Sequence, residues 1–376
     1  MKQKIYLDNN ATTALAPEVV DAIVSALPIF GNPSSVHSFG REAKALITKT
    51  RDTIATFFGV KPAEIIFTSS GTEAINMLLR GLFAETPRGH IITSSVEHAA
   101  CYNTVKALEQ AGCRVTFLDP GRFGAVTPDI IKEIILQDTR LITLMAVNNE
   151  TGVKTDIEAI AQIAKEKNIP FVVDGVALLG KEKREPIPMG VSAMAFSGHK
   201  IHAPKGVGFA FVRKSLKITP YLTGGPQESG RRGGTEDVAA ICGLGRAMEL
   251  MRDQLDESVV RMQQLRDYFE QELLALGDVV INGEGPRVCN TSNLAFLGVE
   301  GEALLMRLDL EGLAASHGSA CTTGALEPSR ILLNMGLSRE RAASSLRFSL
   351  SRYTTQEEIE RAVDCIKETV KKLRRM

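Results

Sequence analysis

The chain has 376 residues, and 44 Lys plus Arg balance 44 Asp plus Glu, leaving a formal net charge of zero. A chain this long buries a large core and suggests two or three domains, while the charge balance argues against a nucleic acid or an anionic membrane as the main partner. No apolar run approaches the roughly 18 residues of a spanning helix. The opening residues turn polar at Asp8-Asn9-Asn10 before a signal segment could form, so a cytoplasmic protein is expected. Six cysteines (101, 113, 242, 289, 321, 365) include no Cys-x-x-Cys pair, which fits neither a zinc ribbon nor a dense disulfide framework.

Residues 1–14 read as an extended arm ending in a turn-prone run over 8–13. A helical pattern runs from Pro17 to about Leu27 and is broken by Gly31-Asn32-Pro33-Ser34-Ser35. A second helix, from about Arg41 to Phe58, places Ala45, Ile47, Ile54, Ala55 and Phe58 near one face. Short apolar, β-branched runs then appear at 65–68, 91–93, 115–118, 141–147 and 171–173, separated by helix-like segments near 72–84, 98–111, 127–136 and 156–167. Apolar strands alternating with helices predict an α/β protein with a mostly parallel sheet covered on both faces, and such sheets bind ligands at the carboxyl ends of their strands. The runs at 194–196 and 207–212 continue the sheet, and 224–234 is a Gly- and Arg-rich loop. A long helix over about 236–276 bridges to a second unit with strands at 293–296 and 346–350, a helix near 301–309 and a final helix from Gln356. The expected division is a large domain over 15–254 and a smaller α+β domain over 255–376, which the arm 1–14 joins.

Six sites carry chemistry. Ser197-Gly198-His199-Lys200 sets a lysine just past a buried-looking strand, beside a hydroxyl and an imidazole. A buried lysine loses its proton readily, and the neutral amine condenses with an aldehyde such as that of pyridoxal phosphate. Ser69-Ser70-Gly71-Thr72-Glu73 lies where a strand turns into a helix, and the exposed amides there suit a phosphate or serve as an ordinary N-cap. Asp174 ends a strand and either pairs with a pyridine nitrogen or caps the turn before Gly175, while His98 opens a helix where a flat ring could stack on a planar cofactor. Cys321 lies in a run of small residues with glycines at both ends, from Gly318 to Gly324, so it reads as a thiol on a mobile loop over 316–327. Arg347, in a strand-like stretch, suits a substrate carboxylate or a structural ion pair. His199 and His202 are three apart, but no convincing third ligand accompanies them, and no metal is expected.

With these residues in view, the chain resembles a class I cysteine desulfurase over nearly its whole length. The likeness rests on Tyr6-Leu7-Asp8-Asn9-Asn10-Ala11-Thr12-Thr13, Gly31-Asn32-Pro33-Ser34-Ser35, Ser70-Gly71-Thr72-Glu73, Glu97-His98, Val147-Asn148-Asn149-Glu150-Thr151-Gly152, Ser197-Gly198-His199-Lys200, Arg232-Gly233-Gly234-Thr235, Gly318-Ser319-Ala320-Cys321 and Glu327-Pro328-Ser329. The resemblance implies the fold-type-I architecture of pyridoxal-phosphate enzymes, a homodimer with its sites at the subunit interface, and sulfur supply to an iron–sulfur scaffold or another acceptor protein. Lys200 then resembles the Schiff-base lysine, Asp174 the partner of the ring nitrogen and His98 the stacking acid/base. Gly71, Thr72, Ser197 and His199 match the phosphate cup, completed by Thr235 of the neighbouring subunit. Asn149 and Arg347 match the contacts to the substrate carboxylate, and Cys321 the nucleophile that takes the sulfur of L-cysteine as a persulfide while L-alanine leaves. The family pattern Asp-Ala-x-Gln reads Asp174-Gly175-Val176-Ala177 here, and Ala177 cannot donate to the ring hydroxyl as the glutamine does. A selenocysteine lyase or aminotransferase of the same fold, and a weakly active desulfurase-like partner protein, are the alternatives. Cys321 on its loop counts against the first two, and Ala177 motivates the third.

Overall fold

The computed structural model describes residues 4–183, 187–318 and 327–375. The arm carries a two-residue strand, β1 (Ile5–Tyr6), after which Pro17 opens α1 (Pro17–Ala26); its ring presets the helical φ, and its missing N–H costs nothing in a first turn. α2 (Ser38–Phe58) starts earlier than the expected Arg41 because His37 caps it, its Nδ1 accepting from the Gly40 amide at 3.3 Å. Gly59 ends the helix with φ 66°, a conformation that penalises a Cβ. The buried stripe is Ala43, Ile47, Thr50, Ile54 and Phe58, at helical spacing. Ala45, expected on that face, is exposed.

Next come β2 (Ile65–Thr68), α3 (Gly71–Phe83), β3 (His90–Ser94), α4 (Ala99–Gln110), β4 (Arg114–Leu118), α5 (Pro128–Ile134), β5 (Thr139–Met145), α6 (Ile157–Glu166), β6 (Phe171–Asp174), β7 (Ala193–Ser197) and β8 (Gly208–Val212). The seven strands from β2 to β8 form one sheet in the order β2-β8-β7-β6-β5-β3-β4. β8 alone runs against the others, pairing antiparallel with β2 and β7. The mostly parallel α/β sheet expected from the sequence is therefore present. Strand pleating sends Phe67, Phe196, Phe209 and Phe211 to one apolar cluster, and Ile66, Ala195, Ala210 and Val212 to another on the opposite face. The chain leaves β3 for β4 on one side and returns to β5 on the other, so the carboxyl ends of β3 and β5 flank a switch-point crevice.

The segment 224–234, expected as a loop, contains a helical turn, α7 (Gln227–Gly230), in which Glu228 and Ser229 take φ of 48° and 58°. The strain is held because buried Glu228 accepts two bonds from Arg51, at 2.8 and 2.6 Å, and one from the Phe67 amide at 2.9 Å. α8 (Val238–Leu274) has 37 residues. Its first part, through Met262, packs in the cluster of the large sheet; Leu265, Phe269 and Leu273 belong to a separate cluster.

That second cluster lies in the C-terminal part: β9 (Val279–Ile281), β10 (Thr291–Phe296), α9 (Gly301–Leu310), β11 (Leu313–Ala314), α10 (Arg330–Asn334), α11 (Arg339–Ala343), β12 (Ser345–Ser349) and α12 (Gln356–Leu373). β12, β10 and β9 form an antiparallel sheet. The arm crosses to this side, where β1 pairs parallel with β11 and Asp8 bridges Ser349. β9, β11, α10 and α11 have five residues or fewer, too few for a periodicity to announce them. Among the described residues no helix is long and apolar enough to cross a membrane.

Candidate active site

A cavity of about 240 Å³ opens at the carboxyl ends of the central strands. At one end, Ser70 caps α3: its hydroxyl accepts from the Glu73 amide at 3.1 Å, and the Glu73 carboxylate accepts from the Ser69 amide at 2.7 Å. Gly71 and Thr72 open the helix and line the cavity. A Cβ on Gly71 would lie 2.7 Å from Val176 Cγ2, so only glycine allows this close approach. Ser197, ending β7, and His199 complete this wall. Burial, with Lys200 and Lys205 nearby, drives the His199 pKa down to about 4, so the imidazole is neutral and shares a 3.2 Å bond with the Thr12 hydroxyl. This wall, an open helix N-terminus with hydroxyls beside it, suits a phosphate.

Asp174, 6% exposed at the end of β6, accepts from the Val176 amide at 3.0 Å. Burial raises its pKa, and the nearby His98 and Lys200 oppose that rise. One oxygen caps the turn, as one reading of the sequence expects, while the residue also lines the cavity. His98 caps α4 through Nδ1, which accepts from the Ala100 amide at 3.1 Å and leaves the ring proton on Nε2. Burial lowers the His98 pKa, Asp174 opposes this, and Lys200 and Arg330 add to it. Lys200 ends a helical turn over Gly198–Lys200, and its amine donates to the carbonyls of Asn10 and Ala11, the latter at 2.9 Å.

At the far end stand Asn149 and Arg347. The Arg347 guanidinium, in a residue 2% exposed, donates to the Asn149 carbonyl at 3.1 Å and to Asp8 at 2.7 Å, while its Nε has no partner. The side-chain oxygen of Asn149 is likewise buried without a partner. Two orphaned polar atoms on residues that line one cavity mark a place for a polar ligand.

Thr235 does not line this cavity and is exposed. Cys321 lies outside the described residues, as does most of the loop expected to carry it. His202 does not line the cavity, its Nδ1 donating to the Ala14 carbonyl at 2.8 Å. Among the described residues no three His, Cys, Asp or Glu side chains converge as a metal site.

Sequence reasoning assigned nothing to Asn10, Glu97 or Lys181. Asn10 lines the cavity and holds Lys200. Burial raises the Glu97 pKa to about 8, so it is protonated at neutral pH; it accepts from the Met145 amide at 3.0 Å beneath the neighbouring His98. Asn10 lies within the motif Tyr6–Thr13 and Glu97 within Glu97-His98, which were the available signals for them; Lys181 carried none.

The sequence matches the family model for aminotransferase class-V over residues 5–362. A cysteine desulfurase IscS of Dictyoglomus turgidum is 44% identical over 379 residues, which cover 100% of this chain and 96% of that protein. A cysteine desulfurase of Trichormus azollae is 44% identical, over 98% of this chain and 94% of its own. Among solved structures, a NifS-like protein superposes with a TM-score of 0.91 at 34% identity, covering 99% of this chain and 100% of that one. SspA in complex with cysteine superposes with a TM-score of 0.83 at 32% identity, covering 93% and 100%.

Proposed function

Because the chain belongs to the aminotransferase class-V family, and within it to the cysteine desulfurases, we propose that it passes the sulfur of L-cysteine to Cys321 and releases L-alanine. The carrying observation is that Lys200, Asp174 and His98 converge in a cavity whose far end presents Arg347 and Asn149. The enzyme is pyridoxal-phosphate dependent, and the residues suit that cofactor: a Gly71 cradle that a Cβ would fill, an amine at Lys200, a carboxylate at Asp174 and a flat imidazole at His98. When bound, the cofactor supplies an electron sink that labilises bonds at the substrate Cα.

The chain does the rest. Arg347 orients the substrate carboxylate through its unpaired Nε–H, with the Asn149 side-chain NH2 as a second donor beside it. Asp174, with Lys200 and His98 opposing its neutralisation, keeps negative charge at the ring nitrogen. Neutral His98 and the Lys200 amine are the groups placed to move protons at Cα and Cβ. The Cys321 thiolate attacks the substrate sulfur; the S–S bond forms as the Cβ–S bond breaks, and the departing pair on carbon takes a proton to give alanine.

The anchoring of residues on either side of 319–326 supports this role for Cys321. Ser316 and Arg347 exchange backbone bonds at 3.1 and 2.7 Å. On the other side, Ser329 donates to Glu150, and the Arg330 guanidinium donates to the carbonyls of Ser95 and Glu97, the latter at 2.6 Å. Both anchors thus sit beside cavity-lining segments.

The finer reading is a homodimer in which the partner's Thr235 completes the phosphate cup. Its support is an apolar surface on and after α1, with Phe30 79% and Val36 88% exposed beside Val24, Leu27 and Phe39. The two apolar clusters, which change over between Met262 and Leu265 of α8, support a large domain and a smaller C-terminal one, a few residues later than the expected bounds of 15–254 and 255–376. The five described cysteines are all free, which favours a reducing cytoplasm and delivery of persulfide sulfur to an iron–sulfur scaffold or another acceptor protein.

The test is the visible spectrum of purified protein before and after L-cysteine, with alanine measured. A cofactor band that shifts, with alanine formed, is the expected result; no band, or a band indifferent to cysteine, would overturn the reading. Cys321→Ser should keep the band and lose sulfide release, and undiminished release would remove Cys321 from its role.

A further inference from the structure

A cleft of about 10 Å³ lies where the large sheet, α8 and the C-terminal part meet, with room for one water or one small ion. Lys181 reaches it from the segment after β6, His202 from the turn after β7 and Arg352 from the turn after β12, while Met251, Leu255 and Ser258 come from α8. Lys181, His202 and Arg352 are each more than nine-tenths buried. Their polar atoms are short of partners: Nε and Nη2 of Arg352 and Nε2 of His202 are buried without a hydrogen bond. The Tyr353 ring holds these two residues side by side, its centroid 5.0 Å from the Arg352 guanidinium and 4.7 Å from the His202 ring. His202 takes a φ of 71° and is pinned there, its amide donating to the Thr13 hydroxyl and its Nδ1 to the Ala14 carbonyl, both at 2.8 Å. With the Nδ1 proton committed, Nε2 keeps the lone pair of the ring.

The charges do not balance either. Burial lowers the Lys181 pKa to about 8, which leaves the amine protonated at pH 7, and Arg352 stays charged. Both cations act on His202, adding to the burial that lowers its pKa. The nearby Cys289 thiol, pushed up to about 11 by burial, is neutral. Among the described residues no carboxylate pairs with Lys181 or Arg352. Two buried cations without a counter-ion are costly until a ligand brings one.

We propose that this cleft binds one small univalent anion, held by the orphaned N–H groups of Arg352 and by the charge of Lys181. The space is too small for sulfate or phosphate. Two anions of one heavy atom share the required chemistry: chloride from the medium, beside which His202 takes a proton on Nε2, and hydrosulfide, whose own hydrogen meets the Nε2 lone pair. The site stands apart from the proposed function; only the supply of hydrosulfide, through sulfide release, rests on that reading.

The test follows the Tm of the full-length holoenzyme in sodium gluconate at constant ionic strength, as chloride, bromide or, without oxygen, hydrosulfide replaces gluconate. A filled site raises Tm by about 2–5 °C along a saturating curve. Sulfate should give only the unsaturated drift of an excluded salt, and Arg352→Met should lose the saturable rise. In a crystal soaked in bromide, anomalous diffraction should place an ion against the Arg352 guanidinium, a measurement on the wild type that holds even where Arg352→Met fails to fold. Half-saturation by hydrosulfide at a concentration at least tenfold below that of chloride makes the reaction product the occupant, and the reverse order makes it the halide. No saturable rise with any of the three, a rise that a folded Arg352→Met keeps, or a cleft holding only water in the bromide crystal overturns the inference and leaves the proposed function standing. A saturable rise in a protein whose cofactor band ignores cysteine keeps the anion site and defeats the proposed function alone.

Discussion

The two walls of the cavity are built in opposite ways. The sheet wall takes Gly71, His98, Asp174, Ser197 and Lys200 from the last residue of a strand or the turn just beyond it. The facing wall depends on pairs far apart in the chain: Arg347 donates to Asp8 across 339 positions, and the Asn10 amide to the Ser349 hydroxyl across another 339. The first wall is a by-product of forming the sheet and is available to any ligand that seeks strand ends. The second forms only when the arm meets the C-terminal strands. On the proposed function, the cofactor takes the wall that forms locally and the substrate the wall that needs the whole tertiary structure.

Substitutions on each wall should separate those assignments. The largest effect is expected from Lys200→Ala, with a fall in sulfide release of at least about 10³-fold and loss of the visible band; retention of the band would break the assignment of the sheet wall. Arg347→Ala should raise KM for cysteine by about 10- to 100-fold while the cofactor band stays, since one charged hydrogen bond to the carboxylate is lost. A band that vanishes instead would merge the two walls into one function.

Two pH effects of opposite sign sharpen the contrast further. His202, beside the Tyr353 ring at 4.7 Å, is held neutral by burial, its pKa lowered from 6.5 to about 3. The unfolded chain takes up that proton near 6.5 and the folded chain only near 3, so stability falls as pH drops through this window. His202→Phe should flatten the decline in Tm between those values. Glu97 behaves in reverse, with a pKa raised from 4.5 to about 8 by burial. The unfolded chain releases its proton first, so stability falls as pH rises through that range. Glu97→Gln, which keeps an acceptor for the Met145 amide, should remove the dependence and change the rate near neutral pH by about twofold at most.

The sheet wall was legible because apolar runs bounded by turn residues mark strand ends, and the residues just past those ends carry the chemistry. The other wall was half legible. Arg347 and Asp8 each lie in a recognisable stretch, but nothing in either foretells that they meet. Ala45 was misplaced on α2 because alanine weighs little in a hydrophobic pattern, whereas Ala43 fits the spacing of Ile47, Thr50 and Ile54. Lys181 opens a charged run, Lys181-Glu182-Lys183, which in sequence resembles a solvated turn. Its burial comes from α8 and from Cys289 and Arg352, beyond the reach of local pattern.

The fastening of the arm also dates the completion of the pocket. The Lys200 amine is gripped by the carbonyls of Asn10 and Ala11, and that stretch is itself moored to Ser349, whose carbonyl accepts from the Asn9 side-chain amide at 2.8 Å. A nascent chain still lacking β12 therefore has its lysine but not the strap across it. On the ribosome the arm and β12 must both have emerged before the pocket closes around Lys200, so cofactor capture waits on the synthesis of β12.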